Sequence, residues 1–314
     1  MKRIFTGMML VMLAVSCGRR EKDVFLFSYF TDNGQDGLHL AYSYDGLHWE
    51  ALNGGRTILR PVVGKDSLMR DPMILCGSDG FYHMVWTTGW TDQHIGYAAS
   101  RDLIHWSPQR LIRVMEHESE SRNCWAPEIF YDRNSDLYYI FWATTIPGRH
   151  SDIQQADDGK THNHRMYYVT TRDFETFSET GMFFNPDFSV IDAAVMGDGN
   201  RTVMFLKNEN PAPPEKNIRV TISNGSVLDF PTAVSAPITG DYWAEGPSPL
   251  RVRDSVYVYF DKYRERKYGA VRSKDLVHWD DVSENVFFPQ GTRHGSAFTV
   301  GESVLENLFG AFPE

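Results

Sequence analysis

Three acidic residues stand where a charge is costly unless it is used. Asp192 interrupts the apolar run Val190-Ile191-Asp192-Ala193-Ala194-Val195, where an unpaired carboxylate loses its hydration. Asp71 precedes Pro72 in Arg70-Asp71-Pro72-Met73-Ile74-Leu75, and Glu245 follows Trp243-Ala244 and leads into Gly246-Pro247. Taken singly, Asp71 and Glu245 read equally well as turn residues, since Asp, Gly and Pro all favour turns. Gathered in one concave site, three carboxylates suit glycoside hydrolysis. One activates water, and a protonated partner donates to the leaving oxygen across the scissile bond. Rival chemistries lack their residues: there is no Gly-x-Ser-x-Gly elbow, no Gly-rich phosphate loop, no His-Glu-x-x-His pair and no Cys cluster.

The elements that must bring these residues together are strands. Aromatic residues make up 14% of the chain, a composition suited to sheets. One pattern recurs: a strand ending in Ser or Thr, then Asp, a small or apolar residue, two spacers and an aromatic. It runs Ser43-Tyr44-Asp45-Gly46-Leu47-His48-Trp49, Ser100 to Trp106, Thr171 to Phe177 and Ser273 to Trp279, with a degenerate copy at Ser223 to Phe230. Intervals of roughly 50–70 residues fit one four-stranded propeller blade each, so five copies predict an all-β, five-bladed β-propeller. The Asp turns the chain between outer strands, and the apolar residue and aromatic (Trp49, Trp106 and Trp279 among them) pack between blades.

A second series precedes these turns. It comprises the Asp71, Asp192 and Glu245 segments together with Trp125-Ala126-Pro127-Glu128-Ile129-Phe130 and Arg293-His294-Gly295-Ser296-Ala297-Phe298. These are assigned to the innermost strand of each blade, so their polar residues converge on the axis. The first turn copy has no inner strand before it, and the last inner strand has no turn copy after it. Pairing the N-terminal strands with the C-terminal strand closes the ring and leaves no exposed edge. No long helical pattern interrupts residues 24–314, which read as one domain.

Hydrophobic content of 42%, charge of 23% and a net charge of −10 describe a globular protein and argue against nucleic acid as a partner. Residues 1–16 read as an export signal: Met1-Lys2-Arg3 is basic, and Ile4 to Val15 is apolar but shorter than a membrane span. Ser16-Cys17 resembles a bacterial lipobox, which makes Cys17 the lipidated first residue of an exported lipoprotein, periplasmic or cell-surface, with residues 17–23 as its tether. The lipid is the expected contact with a membrane, and a monomer is the expected state. His162-Asn163-His164 reads as a solvated loop.

With Arg70-Asp71-Pro72, Trp125-Ala126-Pro127-Glu128, Ile191-Asp192-Ala193, Trp243-Ala244-Glu245-Gly246-Pro247 and His294-Gly295-Ser296 in order along nearly all of the mature chain, the sequence resembles glycoside hydrolase family 43, five-bladed propeller enzymes acting mainly on arabinose- and xylose-containing glycans. The resemblance implies Asp71 as general base, Asp192 as the auxiliary that orients the acid and raises its pKa, and Glu245 as general acid, with inversion of configuration. It also implies an exo-acting enzyme for α-L-arabinofuranosyl linkages first, β-D-xylosyl second and galactosyl third. Trp125, Trp243, Glu128 and Arg293 are the substrate-binding candidates; Glu128 reads equally as a holder of Arg and amide groups, and Arg293 as a support for a carboxylate. His294 matches a residue that lies near a central calcium in many members. No cofactor is expected to be required, and a structural Ca2+ near the channel is the one metal to look for. Three departures stand out: Ala193 replaces a common Pro, Glu128 a common Asp, and the base follows a longer N-terminal segment. The rival from another class is a non-catalytic carbohydrate-binding propeller. Fructan hydrolases share the Arg-Asp-Pro motif but need an Asp-Pro-Asn nucleophile motif that has no evident equivalent here, and sialidases have six blades.

Overall fold

The computed structural model describes residues 22–150 and 162–313; the Cys17 assignment therefore lies outside the described residues. Nineteen strands are described in five antiparallel sheets. The first sheet holds β1 (Asp23–Phe30), β2 (His39–Ser43) and β3 (Glu50–Ala51). The second runs β4 (Arg70–Cys76), β5 (Tyr82–Thr87), β6 (Ile95–Ser100) and β7 (Arg110–Ile112). The third runs β8 (Trp125–Asp132), β9 (Leu137–Thr144), β10 (Arg165–Thr171) and β11 (Gly181–Phe184). The fourth has β12 (Val190–Asp198), β13 (Arg201–Asn208) and β14 (Asn217–Ser223), and the fifth β15 (Glu245–Val252), β16 (Ser255–Lys262), β17 (Lys267–Ser273) and β18 (Asp280–Asp281). The last strand, β19 (Arg293–Gly301), returns to pair with β1, with Asp23 opposite Gly301 and Phe27 opposite Ala297. Chain ends thus share one blade, and a five-bladed ring is closed as the sequence predicts.

Strands β4, β8, β12, β15 and β19 each end their sheet at the axis and contact the next around the ring. Five apolar clusters fill the five gaps between blades; the one between the first two, for example, joins Leu26 and Leu40 to Ile74, Met84 and Trp86. The Asp turns have the expected role. In the first, the Asp45 carboxylate accepts N–H bonds from Leu47 and His48 at 2.7 and 2.9 Å. The others, built on Asp102, Asp173 and Asp275, repeat it. Trp49 is buried in the cluster between the fifth and first blades, while Trp106 and Trp279 pack partly buried against theirs.

Two features depart from the sequence reading. The fourth blade has three strands, because residues 231–238 lie along β14 through only two backbone bonds, Ser235 N–H to Val220 O and Ile238 N–H to Ile218 O. Pro231 and Pro237 in that segment have no N–H to extend the ladder. The chain also finishes in a helix, α1 (Glu302–Ala311), whose Leu305 and Leu308 extend the cluster between the first two blades.

Candidate active site

The same irregularity occurs in every inner strand. Arg70 pairs with Thr87 and Met73 with Val85, so Asp71 and Pro72 together face one residue of β5. Identical two-against-one bulges fall at Ala126-Pro127, Asp192-Ala193, Gly246-Pro247 and His294-Gly295. A bulge bends its strand and re-aims a side chain. Four of the five place their first residue in the left-handed region, with φ of 51° at Asp71, 47° at Ala126, 54° at Asp192 and 60° at Gly246. Asp tolerates this conformation because its short polar side chain bonds locally, and glycine has no Cβ to clash. The motifs of the sequence are therefore the bulges of the structure, aligned around the axis.

Asp71, Asp192 and the Glu245-Gly246 pair meet there. The Asp71 carboxylate accepts from Thr87 Oγ1 at 2.7 Å, and the same hydroxyl accepts the Ala126 N–H at 2.8 Å. His294 Nδ1 lies 3.4 Å from Asp71 Oδ1 and 4.0 Å from Asp192 Oδ2. Asp192 Oδ2 accepts the Gly246 N–H at 3.0 Å, which ties the auxiliary carboxylate to the backbone of the next motif. Gly246 is required twice. Its φ is positive, and a Cβ would sit 2.4 Å from His294 Cδ2 and Cγ.

Glu245 is flanked by cations. Lys207 Nζ is 3.1 Å from its Oε2, and an Arg293 guanidinium nitrogen is 3.5 Å from its Oε1. Arg293 is itself fixed by Asp261, which accepts from its Nε at 2.7 Å. Of the readings open for Arg293, the contacts seen are those of a support for carboxylates. Lys207 and Asp261 lie opposite inner-strand residues, Lys207 against Ile191 and Asp261 against Glu245. Sequence reasoning missed both, since each ends an apolar strand where a polar residue looks unremarkable.

Burial divides the protons. Asp192, 6% exposed, is pushed up to about 6 by burial, with Glu245 and Asp71 adding to the rise and His294 and Lys207 opposing it. Glu128 is raised well above the usual carboxylate range by burial, then by Asp192 and Asp71. Asp261 rises to about 6 through burial and Glu245, against the pull of Arg293. Each follows from the cost of an ionised carboxylate in a low-dielectric channel. Among the described residues Glu128 makes no hydrogen bond to an Arg or an amide, and the carboxylates of Asp192 and Asp71 act on it.

The two tryptophans stand beside the motifs. Trp125 occupies the position before its bulge, its indole N–H donating to Trp90 O at 3.2 Å and its ring stacked on His162 at 4.9 Å. Trp243 precedes β15, with the Arg264 guanidinium 3.8 Å above its ring. The His162 to His164 segment is not a solvated loop. His164 is buried against Thr145 Oγ1 at 3.1 Å, and burial together with the nearby His162 and Lys207 charges holds its pKa well below the usual value. As for a metal, no group of three or more His, Cys, Asp or Glu among the described residues is arranged to hold one. The surroundings of His294 (two carboxylates already hydrogen-bonded, with Lys207 and Arg293 close by) fit a hydrogen-bonded histidine better than a calcium shell of six to eight oxygens.

Comparison with known proteins agrees with this geometry. Residues 21–306 match the family model described as "Probable glycosyl hydrolase domain", of the family-43-related group. An α-L-arabinofuranosidase of Bifidobacterium longum subsp. longum is 23% identical over 216 residues, 62% of this chain and 20% of that protein. The match thus spans a fifth of the length of that relative. Among solved structures, an α-L-arabinofuranosidase from Lactobacillus brevis superposes with a TM-score of 0.59 at 19% identity, covering 75% of this chain and 80% of that one. A family-43 β-1,3-galactosidase does so with a TM-score of 0.52 at 13% identity, covering 72% and 49%. At these identities the superpositions speak for the fold.

Proposed function

The chain belongs to the glycosyl hydrolases related to family 43, and from that premise we propose that it is an inverting, exo-acting glycosidase with Asp71 as base and Glu245 as acid. The carrying observation is that separate bulges deliver Asp71, Asp192 and Glu245-Gly246 to one channel, joined through His294 and the Gly246 N–H. In the reaction, Asp71 removes a proton from water as the water oxygen bonds to the anomeric carbon. The glycosidic C–O bond breaks, and its oxygen takes the proton carried by Glu245. Thr87 and His294 fix the base against rotation, and Asp192 fixes the strand segment that carries the acid. Asp192 and Glu128 resist ionisation in the substrate-free protein, so the channel carries protons close to the acid. The glycone we propose is α-L-arabinofuranosyl, ahead of β-D-xylosyl and then galactosyl; the names of two similar proteins support the first place. Trp125 and Trp243 are proposed to border the sugar. Export and a lipid anchor at Cys17 belong to the same proposal and rest on the sequence of residues 1–23.

Aryl glycosides of the four sugars (α-L-arabinofuranoside, β-D-xyloside, β-D-galactoside and β-D-galactofuranoside) test this. Asp71→Ala should lower kcat by about 10³-fold or more whatever the leaving group. Glu245→Ala should be nearly as damaging on a poor leaving group but largely spared on an activated one, which needs less protonation. Equal losses of the Glu245 variant on both substrates would remove it from the acid role. Silence of the wild type on aryl glycosides and on plant polysaccharide digests, with binding of the digests retained, would make the protein a carbohydrate-binding propeller.

A further inference from the structure

Lys207 is the feature of the channel that glycoside hydrolysis by a pair of carboxylates does not explain. It is 4% exposed, and a buried ammonium must be paired. Its Nζ has two partners, Glu245 Oε2 at 3.1 Å and Glu209 Oε2 at 2.7 Å. Glu209 is in turn held by Lys216 Nζ at 2.5 Å. The charges alternate in a row, Glu245, Lys207, Glu209 and Lys216, and the two carboxylates that share Lys207 are buried to a similar degree, 22% and 24% exposed. A structural ion pair needs one acid for its base. Here the ammonium keeps a partner even when Glu245 turns away.

We propose that Lys207 is a positioning residue for Glu245, parking the acid's carboxyl in the empty channel, and that Glu209 is the second seat that lets Lys207 release it to the substrate. This rests on the acid role of Glu245 proposed above. On substrate entry Glu245 moves toward the leaving oxygen, while Lys207 stays on Glu209 and no bare cation remains in the wall. Other charged or titratable groups facing Glu245 are Asp192 from β12, Arg293 from β19, Asp261 and Tyr263 at the end of β16, and Tyr268 from β17. Two further cations act on Glu245: Arg293, which Asp261 occupies, and Lys216 just before β14, which Glu209 occupies. Lys207 is therefore the charge whose removal bears most directly on the acid.

The test compares Lys207→Met, Lys207→Arg, Glu209→Gln and the Lys207→Met/Glu209→Gln double variant with the wild type. Two readouts are used: the alkaline limb of kcat/KM on the best aryl glycoside, and the 13C carboxyl titration of Glu245 assigned through Glu245→Gln. Without the cation, Glu245 holds its proton to higher pH, so Lys207→Met should move the limb up by about one pH unit. Lys207→Arg should leave it in place. Glu209→Gln confines the cation to Glu245 and should move the limb down, with a fall in kcat because release is impeded. The double variant should behave as Lys207→Met alone, since Glu209 acts through Lys207. An unmoved Glu245 titration in folded Lys207→Met, or a double variant equal to the sum of the singles, would overturn the proposal. The carboxyl titration reads these shifts without turnover, so a protein that hydrolyses none of the substrates would sink the functional reading and still decide this one.

Discussion

A left-handed residue recurs at the inner strands of four blades and at the outer turns of four, and the two uses have opposite chemistry. In the outer turns a residue with positive φ follows an Asp: Gly46, Leu103, Phe174 and Leu276, at 77°, 63°, 56° and 65°. Leu103 and Phe174 are fully buried, so the strained backbone drives an apolar side chain between blades. In two of the four left-handed inner bulges the residue is Asp71 or Asp192, and there the strain drives a carboxylate into the channel. The outer Asp residues are saturated with donors. Although partial burial works against ionisation, bonds from His48, Leu47 and Ser43 bring Asp45 down to about 2. Asp192 accepts one backbone N–H and is pushed up to about 6. A carboxylate that receives all its hydrogen bonds is structural; one left short of them where it is buried keeps a proton within reach of neutral pH.

Three experiments sharpen or break that contrast. Gly246→Ala should have the largest effect on stability, about 3 kcal/mol, since it adds a Cβ at positive φ against the His294 ring. Activity should fall with it because His294 leaves Asp71, and chemical denaturation beside kcat measures both. A mild loss would mean that the bulge adapts and its glycine is incidental. Asp192→Asn should follow. The folded pKa of Asp192 lies above its unfolded value near 3.9, so the group binds more protons folded than unfolded, and its contribution falls as pH rises between those values. The Asn variant escapes that loss while an amide oxygen can still accept the Gly246 N–H. Relative to wild type it should gain about 2 kcal/mol between pH 4 and pH 7, while losing about 10²-fold in kcat. A stability difference independent of pH would place the ionised carboxylate as comfortably in the channel as in water.

The smallest effect belongs to the outer turn. Asp45→Ala should cost about 1 kcal/mol at pH 7 through the lost N–H bonds and leave kcat unchanged. Here the sign reverses: the folded pKa is depressed, so the stabilisation is present above pH 4 and is lost as pH falls through about 2. Thermal melts of the variant and wild type at pH 2 and pH 7 should therefore converge at the acid end. A change in kcat would show that the outer turns reach the channel.

The contrast also explains what could be read from sequence. The turns repeat because each does the same packing job, so Asp, hydroxyl and aromatic recur in register and the blade count follows. Asp192 was legible because a carboxylate inside an apolar run has no routine structural use, and Asp71 and Glu245, turn residues when taken singly, became legible because their segments recur in register with it. Lys207 and Asp261 were not, because a polar residue closing an apolar strand is ordinary and its partner comes from a different blade. The α1 helix escaped because it is only ten residues long and its partner surface is assembled from the first two blades. The irregular fourth blade had a local sign in Pro231 and Pro237, which deny donors to a further strand.

Strand β19 has a consequence for how the protein comes into being. It is the innermost strand of the first blade and supplies Arg293 and His294, yet it is made last. During synthesis from the N-terminus β1 waits for its partner while four blades emerge behind it. A chain cut before residue 293 would therefore hold all three carboxylates with the ring open and lack the histidine that lies between Asp71 and Asp192. Joining ends so distant makes slow closure the expectation, although the entropy of closing the loop grows only with the logarithm of its length. Competence should thus arrive in one step, when β19 pairs with β1, so a chain without that pairing has no partly active stage.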